Sequence, residues 1–364
     1  MQDERFSFLK TLVESPSPSG YEGPARAIWR RAVEGVADTL STDLHGNTIA
    51  TVNPGGAPRV LLAGHVDEIG FMVTYIDDDG FVYFGPIGGH DPVIAPGQRV
   101  RIHPASGDPI LGAIGRRPVH LMQGDERDKK VELRDLWIDV GARSRDEAAG
   151  RVRVGDPITF AVGLERLTLA EDRVVSRALD NKMGAFIVAE TLKEVAARRG
   201  DGLKLAASLT AVATVQEEVG LRGAYTSTFS VNPHVGIAVD VTHALDHPGA
   251  GSGDKRRLGD VRMGKGPVIA RGPSVNPVVF ERLVAAAEAA GVPYQVEPAP
   301  GSSGTDADAI QRSRGGVATG VVSVALRYMH TPVETIEISD IEDAITLLAA
   351  FVARLDGDTD FTPR

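Results

Sequence analysis

Hydrophobic positions along this chain follow two different periods, and the change between them predicts how the chain is organised. Near the N-terminus, apolar residues recur at helical spacing until a segment rich in Ser and Pro at 15–20 ends the first helix. From about residue 70 to residue 163 they occur in short alternating runs that are typical of β-strands, without a long helical pattern between them. Helical and strand patterns then alternate to the C-terminus. These patterns predict an α/β domain that a compact β segment interrupts.

The predicted elements are short and separated by turn signals. Helices are predicted at 6–13, from Pro24 onward, and at 183–199, 277–290 and 340–355. Strands are predicted at 48–52, 59–64, 71–75, 81–84, 99–103, 110–114, 136–140, 157–161, 204–215, 235–240, 293–297 and 317–326. The strands at 71–75 and 81–84 flank three aspartates and a glycine and read as a hairpin. We expect two domains, one formed by 1–69 and 164–364 and the other by 70–163.

Composition narrows the classes of protein to consider. At 364 residues with 42% hydrophobic residues, the chain can bury a large core and exceeds the usual size of one domain. It contains no cysteine, which excludes disulfides, thiolate metal sites and a cysteine nucleophile. The formal net charge of −10 and the lack of a basic cluster argue against nucleic-acid partners. No run approaches the ~18 apolar residues of a membrane span, so we expect a cytoplasmic protein without a membrane partner.

Polar residues that can bind metal follow the ends of several predicted strands. In open α/β sheets ligands bind beyond the carboxyl ends of the strands, so these side chains are expected to meet. Another carboxylate lies in a loop just before a predicted helix. Two histidines and several carboxylates in such positions are typical of a site for two metal ions. The candidates are His65 and Asp67 after one strand, Glu217 and Glu218 after the next, then Asp240, His330 and the loop residue Asp180.

Each of these residues also has a simpler structural explanation. His65 alone could be a histidine satisfied within the core, but Asp67 lies two residues on, where its carboxylate can accept a hydrogen bond from the ring and fix the tautomer. Asp240 could be a helix N-cap, and His330 could be an ordinary turn residue before Pro332. The N-cap explanation also applies to Thr305 and Asp306 in the Gly-Thr-Asp segment at 304–306.

The adjacent pair Glu217 and Glu218 is harder to explain structurally. Two carboxylates at the end of a buried strand repel each other unless a cation or a proton intervenes. On an extended backbone their side chains point to opposite faces, so one is expected to bind metal and the other to stand apart from it.

Five motifs together resemble the TET-type dinuclear metallo-aminopeptidases, in order and spacing, over nearly the whole chain. They are HVDEIGF at 65–71, ALDNK at 178–182, QEEVGLRGA at 216–224, VDVT at 239–242 and MHTPVE at 329–334. Two places depart from the usual pattern: Asn181 stands where an acidic residue is frequent, and the loop at 245–249 varies near the substrate. The resemblance implies an α/β fold with a mixed sheet flanked by helices, and a small inserted β-barrel-like domain that mediates dimerisation.

The resemblance also implies a role for each candidate. It places His65, Asp180 and Asp240 on one ion, and Asp180, Glu218 and His330 on the other. Asp180 would bridge the two ions. Glu217 would be the general base, and Asp67 the partner of His65. The ligand types fit Zn²⁺ or Co²⁺, with Mn²⁺ as a further candidate.

The resulting hypothesis is an enzyme that removes N-terminal residues from peptides with a free N-terminus. Two ions acidify water and polarise the scissile carbonyl, and a carboxylate passes the proton to the leaving amine. Alternatives are a dinuclear deacylase or carboxypeptidase, or a non-catalytic subunit that keeps metal for stability.

The negative charge favours neutral or hydrophobic N-terminal residues such as Leu over acidic ones. The resemblance further implies dimers that build a tetrahedral dodecamer, and the aromatic residues of the hairpin at 71–84 are candidates either for its interface or for the core of the inserted domain.

Overall fold

A mixed eight-stranded sheet and a closed β-barrel form the two main layers of strands in the molecule. The computed structural model describes residues 1–363, except for the side chains of residues 125 and 126. The helices are α1 (Asp3–Glu14), α2 (Gly23–Val33), α3 (Arg145–Ala149), α4 (Leu179–Gly200), α5 (Arg222–Val231), α6 (Ser252–Leu258), α7 (Pro277–Ala290), α8 (Ala307–Ile310) and α9 (Ile338–Ala353). Short 3-10 helices lie at Val119–Leu121, Gly124–Arg127 and Leu133–Asp135.

The strands agree well with the sequence patterns. They are β1 (Thr39–Thr42), β2 (Thr48–Val52), β3 (Arg59–His65), β4 (Gly70–Ile76), β5 (Val82–Ile87), β6 (Arg99–Ile102), β7 (Ile110–Gly115), β8 (Trp137–Asp139), β9 (Pro157–Phe160), β10 (Glu165–Leu167), β11 (Ala170–Ser176), β12 (Ser208–Thr214), β13 (Val235–His243), β14 (Val268–Arg271), β15 (Gln295–Pro298), β16 (Ala318–Leu326) and β17 (Glu334–Glu337). The predicted α/β fold class with a mixed sheet and a β-barrel is confirmed. The sequence patterns did not predict β1, β10, β11, β14, β17, α3, α5 and α6.

The central sheet has the strand order β1-β2-β12-β3-β13-β16-β14-β15. Its four middle strands, β12, β3, β13 and β16, run parallel to one another, and antiparallel strands join on both sides. Each middle strand is almost wholly buried, which explains its continuous run of small and β-branched residues. Because the middle strands are parallel, their carboxyl ends meet at one edge of the sheet.

The helix α4 packs directly on this sheet and is buried along most of its length. The helices α1, α2 and α9 cover it in turn, and their apolar residues join those of the sheet in one large core. Most of α4 is therefore shielded from solvent, which explains why the usual alternation of polar and apolar faces is weak in this helix. A separate three-stranded sheet of order β10-β11-β17 contacts the helices α4 and α9.

Six antiparallel strands close into the barrel, in the order β4-β5-β8-β7-β6-β9. The barrel has its own core, in which Phe71 packs edge-on against Phe84 and Phe160. Phe71 and Phe84 are therefore core residues, which rules out their use as an exposed interface. In the part of the chain that the structure describes, no helix is long and apolar enough to span a bilayer.

Candidate active site

Six ionisable side chains singled out by the sequence analysis come together at the carboxyl edge of the middle strands. They line a cavity of about 420 Å³. Four of them are buried and two are half-buried. The six are His65, Asp180, Glu217, Glu218, Asp240 and His330.

Strand register brings most of these residues to one place. His65 is the last residue of β3 and pairs with Thr214, the last residue of β12, so Glu217 and Glu218 follow immediately beside it. Asp240 lies within β13, which pairs with β3 on the other side. Because Asp240 is a strand residue, the alternative explanation that it caps a helix is wrong.

Asp180 reaches the same edge because α4 approaches the sheet very closely. A Cβ atom at Gly64 would lie 2.5 Å from the backbone of Gly184, and one at Gly184 would lie 2.3 Å from the carbonyl oxygen of Val239. Glycine at both positions allows this contact. Asp180 and Asn181 have non-helical φ and ψ angles in the first turn of α4, in keeping with the expected loop before a helix.

The ligand atoms form two groups that share Asp180. In one group, His65 Nε2 lies 3.4 Å from Asp180 Oδ1, 3.7 Å from Glu217 Oε2 and 4.0 Å from Asp240 Oδ1. In the other, His330 Nε2 lies 3.4 Å from Asp180 Oδ2 and 3.5 Å from Glu218 Oε1. One carboxylate thus faces both groups, each through a different oxygen.

These distances fit ions better than they fit direct hydrogen bonds. Ring N–H groups usually lie about 2.7–3.2 Å from an oxygen acceptor. Atoms that surround a tetrahedral ion at about 2.0–2.1 Å lie roughly 3.4 Å from one another. The oxygen Glu218 Oε1 is also buried without a hydrogen-bond partner. Donor atoms that are all nitrogen or oxygen lie within 4.8 Å of one another in the sets His65–Asp180–Glu218 and His65–Glu217–Asp240, and His330 lies beside the first set, so these residues can hold metal ions.

Burial is the main influence on the ionisation of these groups. It raises the pKa of Glu217 to about 10 and that of Glu218 to about 7, and neighbouring carboxylates add to both rises while His65 opposes them. Burial acts in the same sense on Asp180, but His330 and His65 outweigh it and hold its pKa below the usual value. Carboxylates this close together require protons or cations to neutralise them.

The sequence as a whole matches one family. The model of the M42 glutamyl aminopeptidase family matches residues 46–347. The chain belongs to this M42 family. A lysyl aminopeptidase of Pyrococcus furiosus is 37% identical over 98% of this chain and 99% of its own length. The expected peptide hydrolase of the aminopeptidase type is confirmed by this membership.

Solved structures of TET peptidases share the fold over nearly the whole chain. The TET aminopeptidase of the marine sediment archaeon Thaumarchaeota archaeon SCGC AB-539-E09 superposes with a TM-score of 0.90 at 34% identity, covering 97% of this chain and 98% of that one. The TET1 peptidase of Pyrococcus horikoshii superposes with a TM-score of 0.83 at 32% identity, covering 96% and 100%. The predicted resemblance to TET-type peptidases is therefore confirmed.

Asp67 in this M42 protein lies next to the ring of His65, although the contact expected through its carboxylate is not the shortest one. The atom His65 Nδ1 is 3.1 Å from the carbonyl oxygen of Asp67 and 3.4 Å from its Oδ1, so the carbonyl is the nearer acceptor. Residues two apart in a strand share one face, but β3 ends at His65 and Asp67 lies beyond it, so strand alternation does not explain this contact. The Asp67 carboxylate also accepts hydrogen bonds from the amides of Glu217 and Glu218, and from the hydroxyl of Ser19.

The sequence analysis gave no role to Glu334, which the structure places behind both ligand groups. This buried carboxylate accepts hydrogen bonds from the backbone amides of Asp180, at 3.1 Å, and His330, at 2.9 Å. Burial, with Asp180 next in importance, raises the pKa of Glu334 well above its usual value. Its position four residues after His330 within the last motif was the available signal.

Helix capping, the simplest explanation for Asp306, does not describe its side chain. Asp306 precedes α8, but its side chain does not cap that helix. Its Oδ2 instead accepts a hydrogen bond of 2.5 Å from the hydroxyl of Thr214, at the end of β12. Thr305 does act locally, because its hydroxyl accepts a hydrogen bond from Ala307 N at 3.2 Å. Asp306 therefore joins the segment before α8 to the end of β12.

Proposed function

We propose that this protein is a metal-dependent aminopeptidase that binds two divalent ions per chain and uses Glu217 as its general base. The observation that carries the proposal is the position of Asp180 between His65 and His330. Its Oδ1 lies 3.4 Å from His65 Nε2, and its Oδ2 lies 3.4 Å from His330 Nε2. His65, Asp180 and Asp240 would hold the first ion, and Asp180, Glu218 and His330 would hold the second. Zn²⁺ and Co²⁺ suit these nitrogen and oxygen donors, and Mn²⁺ is the further candidate.

Glu217 is the best-placed residue for proton transfer. Bound divalent ions would supply Lewis acidity and lower the pKa of water in the cavity. Glu217 Oε2 lies on the cavity wall 3.7 Å from His65 Nε2, whereas Glu218 Oε1 approaches His330. The carboxylate of Glu217 accepts the proton of the attacking water and donates it to the leaving amine. Asp67 fixes the backbone of both glutamates and the ring of His65, so it positions these groups.

Restriction to the first residue of a peptide follows from the acidic character of the cavity. A free α-amine can pair with a carboxylate when it is protonated, or donate its lone pair to an ion once it has lost that proton. An N-acylated substrate offers neither interaction. Family membership leaves the preferred first residue open, because the family is named for glutamyl activity while the Pyrococcus furiosus relative is named a lysyl aminopeptidase.

A panel of three substrate types tests this proposal. Purified protein is assayed with added Zn²⁺, Co²⁺ or Mn²⁺ on aminoacyl amides, N-acetylated amino acids and dipeptides blocked at the N-terminus. We expect turnover of the aminoacyl amides alone. Preferential release of acetate from the acetylated amino acids would make the protein a deacylase, and cleavage of blocked dipeptides would make it a carboxypeptidase. The absence of turnover with every metal would favour a non-catalytic subunit.

The same proposal includes a homo-oligomer. The six barrel strands all lie between Gly70 and Phe160, which supports a division into 1–69 with 164–364 and an inserted 70–163. The Pyrococcus horikoshii TET1 peptidase assembles into a tetrahedron or a large octahedral shell. By analogy, 70–163 mediates dimerisation, and the dimers build a dodecamer that admits unfolded peptides. Light scattering in the presence of metal is expected to give twelve chains, and a monomer would contradict the assembly. The cytoplasmic location stays a prediction from the sequence.

A further inference from the structure

One carboxylate in the cavity belongs to neither group of candidate metal ligands. Glu297 lies in β15 and lines the same cavity of about 420 Å³ as His65 and Asp240. Its neighbours in the strand, Val296 and Pro298, are exposed, whereas Glu297 is half-buried. The alternation of the strand therefore turns this one acidic side chain inward.

Glu297 has a hydroxyl partner but lacks a cationic one. The side chain of Thr242 hydrogen-bonds to its carboxylate, and burial raises its pKa. No Lys, Arg or His among the described side chains forms an ion pair with it. Two basic residues of the nearby helix α6 pair elsewhere: Lys255 Nζ lies 2.7 Å from Asp260 Oδ1, and Arg257 Nη2 lies 4.0 Å from Asp254 Oδ1. A half-buried carboxylate without a counter-ion costs free energy, which a cationic ligand would recover.

Apolar side chains share this cavity with Glu297, together with polar ones such as Thr242 and Ser323. Ala270 pairs with Glu297 in the sheet, and Val321 and Leu258 line the same cavity. A surface of this kind accepts a chain of methylene groups, and a carboxylate at its end accepts the charge that such a chain carries. An aliphatic side chain with a terminal ammonium or guanidinium has this combination of properties.

We propose that Glu297 is the residue that determines specificity, and that it receives the side-chain cation of an N-terminal lysine or arginine. The inference rests on the proposed aminopeptidase function and names its substrate class. Acidic first residues are repelled by the same carboxylate. The net charge suggested neutral or hydrophobic first residues such as Leu. A preference for basic residues replaces that expectation, because a carboxylate in the cavity influences the side chain more than the overall charge does.

Lysyl and norleucyl amides test this proposal, because they differ mainly in the terminal ammonium. In the wild-type protein loaded with metal, we expect kcat/KM to be about 10- to 100-fold higher for the lysyl amide, the range of a hydrogen bond to a charged group. Glu297→Gln should reduce the lysyl value by that factor and change the norleucyl value less than about 3-fold. Glu281→Gln removes an exposed carboxylate from α7 and should leave the ratio unchanged.

The possible results distinguish a failure of the role proposed for Glu297 from a failure of the proposed aminopeptidase function. A norleucyl value equal to or above the lysyl value in the wild-type protein overturns the role of Glu297, as does an unchanged ratio in Glu297→Gln. Turnover of norleucyl amide in either case leaves the aminopeptidase proposal standing, whereas a lack of turnover on both amides removes both. If Glu297→Gln does not fold, Glu297→Asp replaces it: withdrawing the charge by one methylene should lower the ratio, and an unchanged ratio overturns the proposal.

Discussion

Asp180 presents its two carboxylate oxygens to two different histidines, with Oδ1 3.4 Å from His65 Nε2 and Oδ2 3.4 Å from His330 Nε2. The two rings come from the ends of different segments, β3 and the turn after β16. Glu334 accepts a hydrogen bond from the Asp180 amide and so fixes the backbone behind it. The geometry makes Asp180 the natural link between the two proposed ions.

Replacing Asp180 by Asn should remove both ions, because each would lose a charged ligand. We expect the metal content to fall from about two ions per chain to well below one, and kcat to fall with it. Elemental analysis after dialysis measures the content. Asp172→Asn, which changes an exposed aspartate of β11, serves as the control. Retention of one tightly bound ion by Asp180→Asn would show that Asp180 is not shared.

Glu217 and Glu218 should behave differently although they are adjacent. Glu217→Gln keeps the shape but removes the proton acceptor, so kcat should fall by at least about 10²-fold with metal content retained and KM less affected. Glu218→Gln should weaken metal binding, and added metal should restore part of its activity. Kinetic measurements and metal analysis of both variants test this assignment. If Glu217→Gln lost metal while Glu218→Gln kept it, Glu218 would be the base and Glu217 the ligand.

Glu334→Gln should lower metal affinity without changing a ligand. The variant can accept only one of the two backbone hydrogen bonds that Glu334 accepts, so Asp180 and His330 would be held less firmly. We expect about 10- to 100-fold weaker binding in a calorimetric titration, with kcat at saturating metal changed much less. An affinity equal to that of the wild type would mean that the ligands are positioned without Glu334.

A buried ion network near the site should matter for stability. The carboxylate of Glu68 contacts Arg177 and lies 2.8 Å from Lys182 Nζ, and all three residues are buried. Glu68→Gln leaves two buried cations without their anion and should cost about 3–5 kcal/mol in the free energy of unfolding. Urea denaturation measures the change.

The exposed pair of Glu132 and Arg134 provides the control for this experiment. Glu132→Gln should change the free energy of unfolding by less than about 1 kcal/mol, because exposed ion pairs contribute little. An equal decrease in the free energy of unfolding in both variants would mean that the buried Glu68 network stabilises the protein no more than an exposed ion pair does.

Much of the fold was predictable because local patterns and burial agree. The parallel strands at the centre are buried on both faces and read as continuous apolar runs, and the helix α7 has a clear period with an Asn cap and Pro at its start. The helix α4 was predicted to begin at Met183, four residues late, because the non-helical angles of Asp180 and Asn181 interrupt the pattern. The edge strand β1 and the strand β14 have only four residues each and little periodicity, so they were missed.

The candidate ligands were found from strand ends, but the residues around them were not. Asp306 looked like a helix cap, and only the tertiary structure shows that Thr214 provides its partner. Glu334 had only its place in the last motif as a signal and Glu297 had none, since burial and orientation depend on how distant strands pair. The sequence pattern identifies a strand near Glu297 without telling which of its faces meets the cavity.

The most direct test is a metal titration of the purified, chelator-treated protein in which bound ions and turnover of an aminoacyl amide are measured on the same samples. We expect no turnover before metal is added, about two ions per chain at saturation, and full activity only when both sites are filled. Turnover that persists in the metal-free protein, or saturation at one ion or none, would contradict a two-metal aminopeptidase.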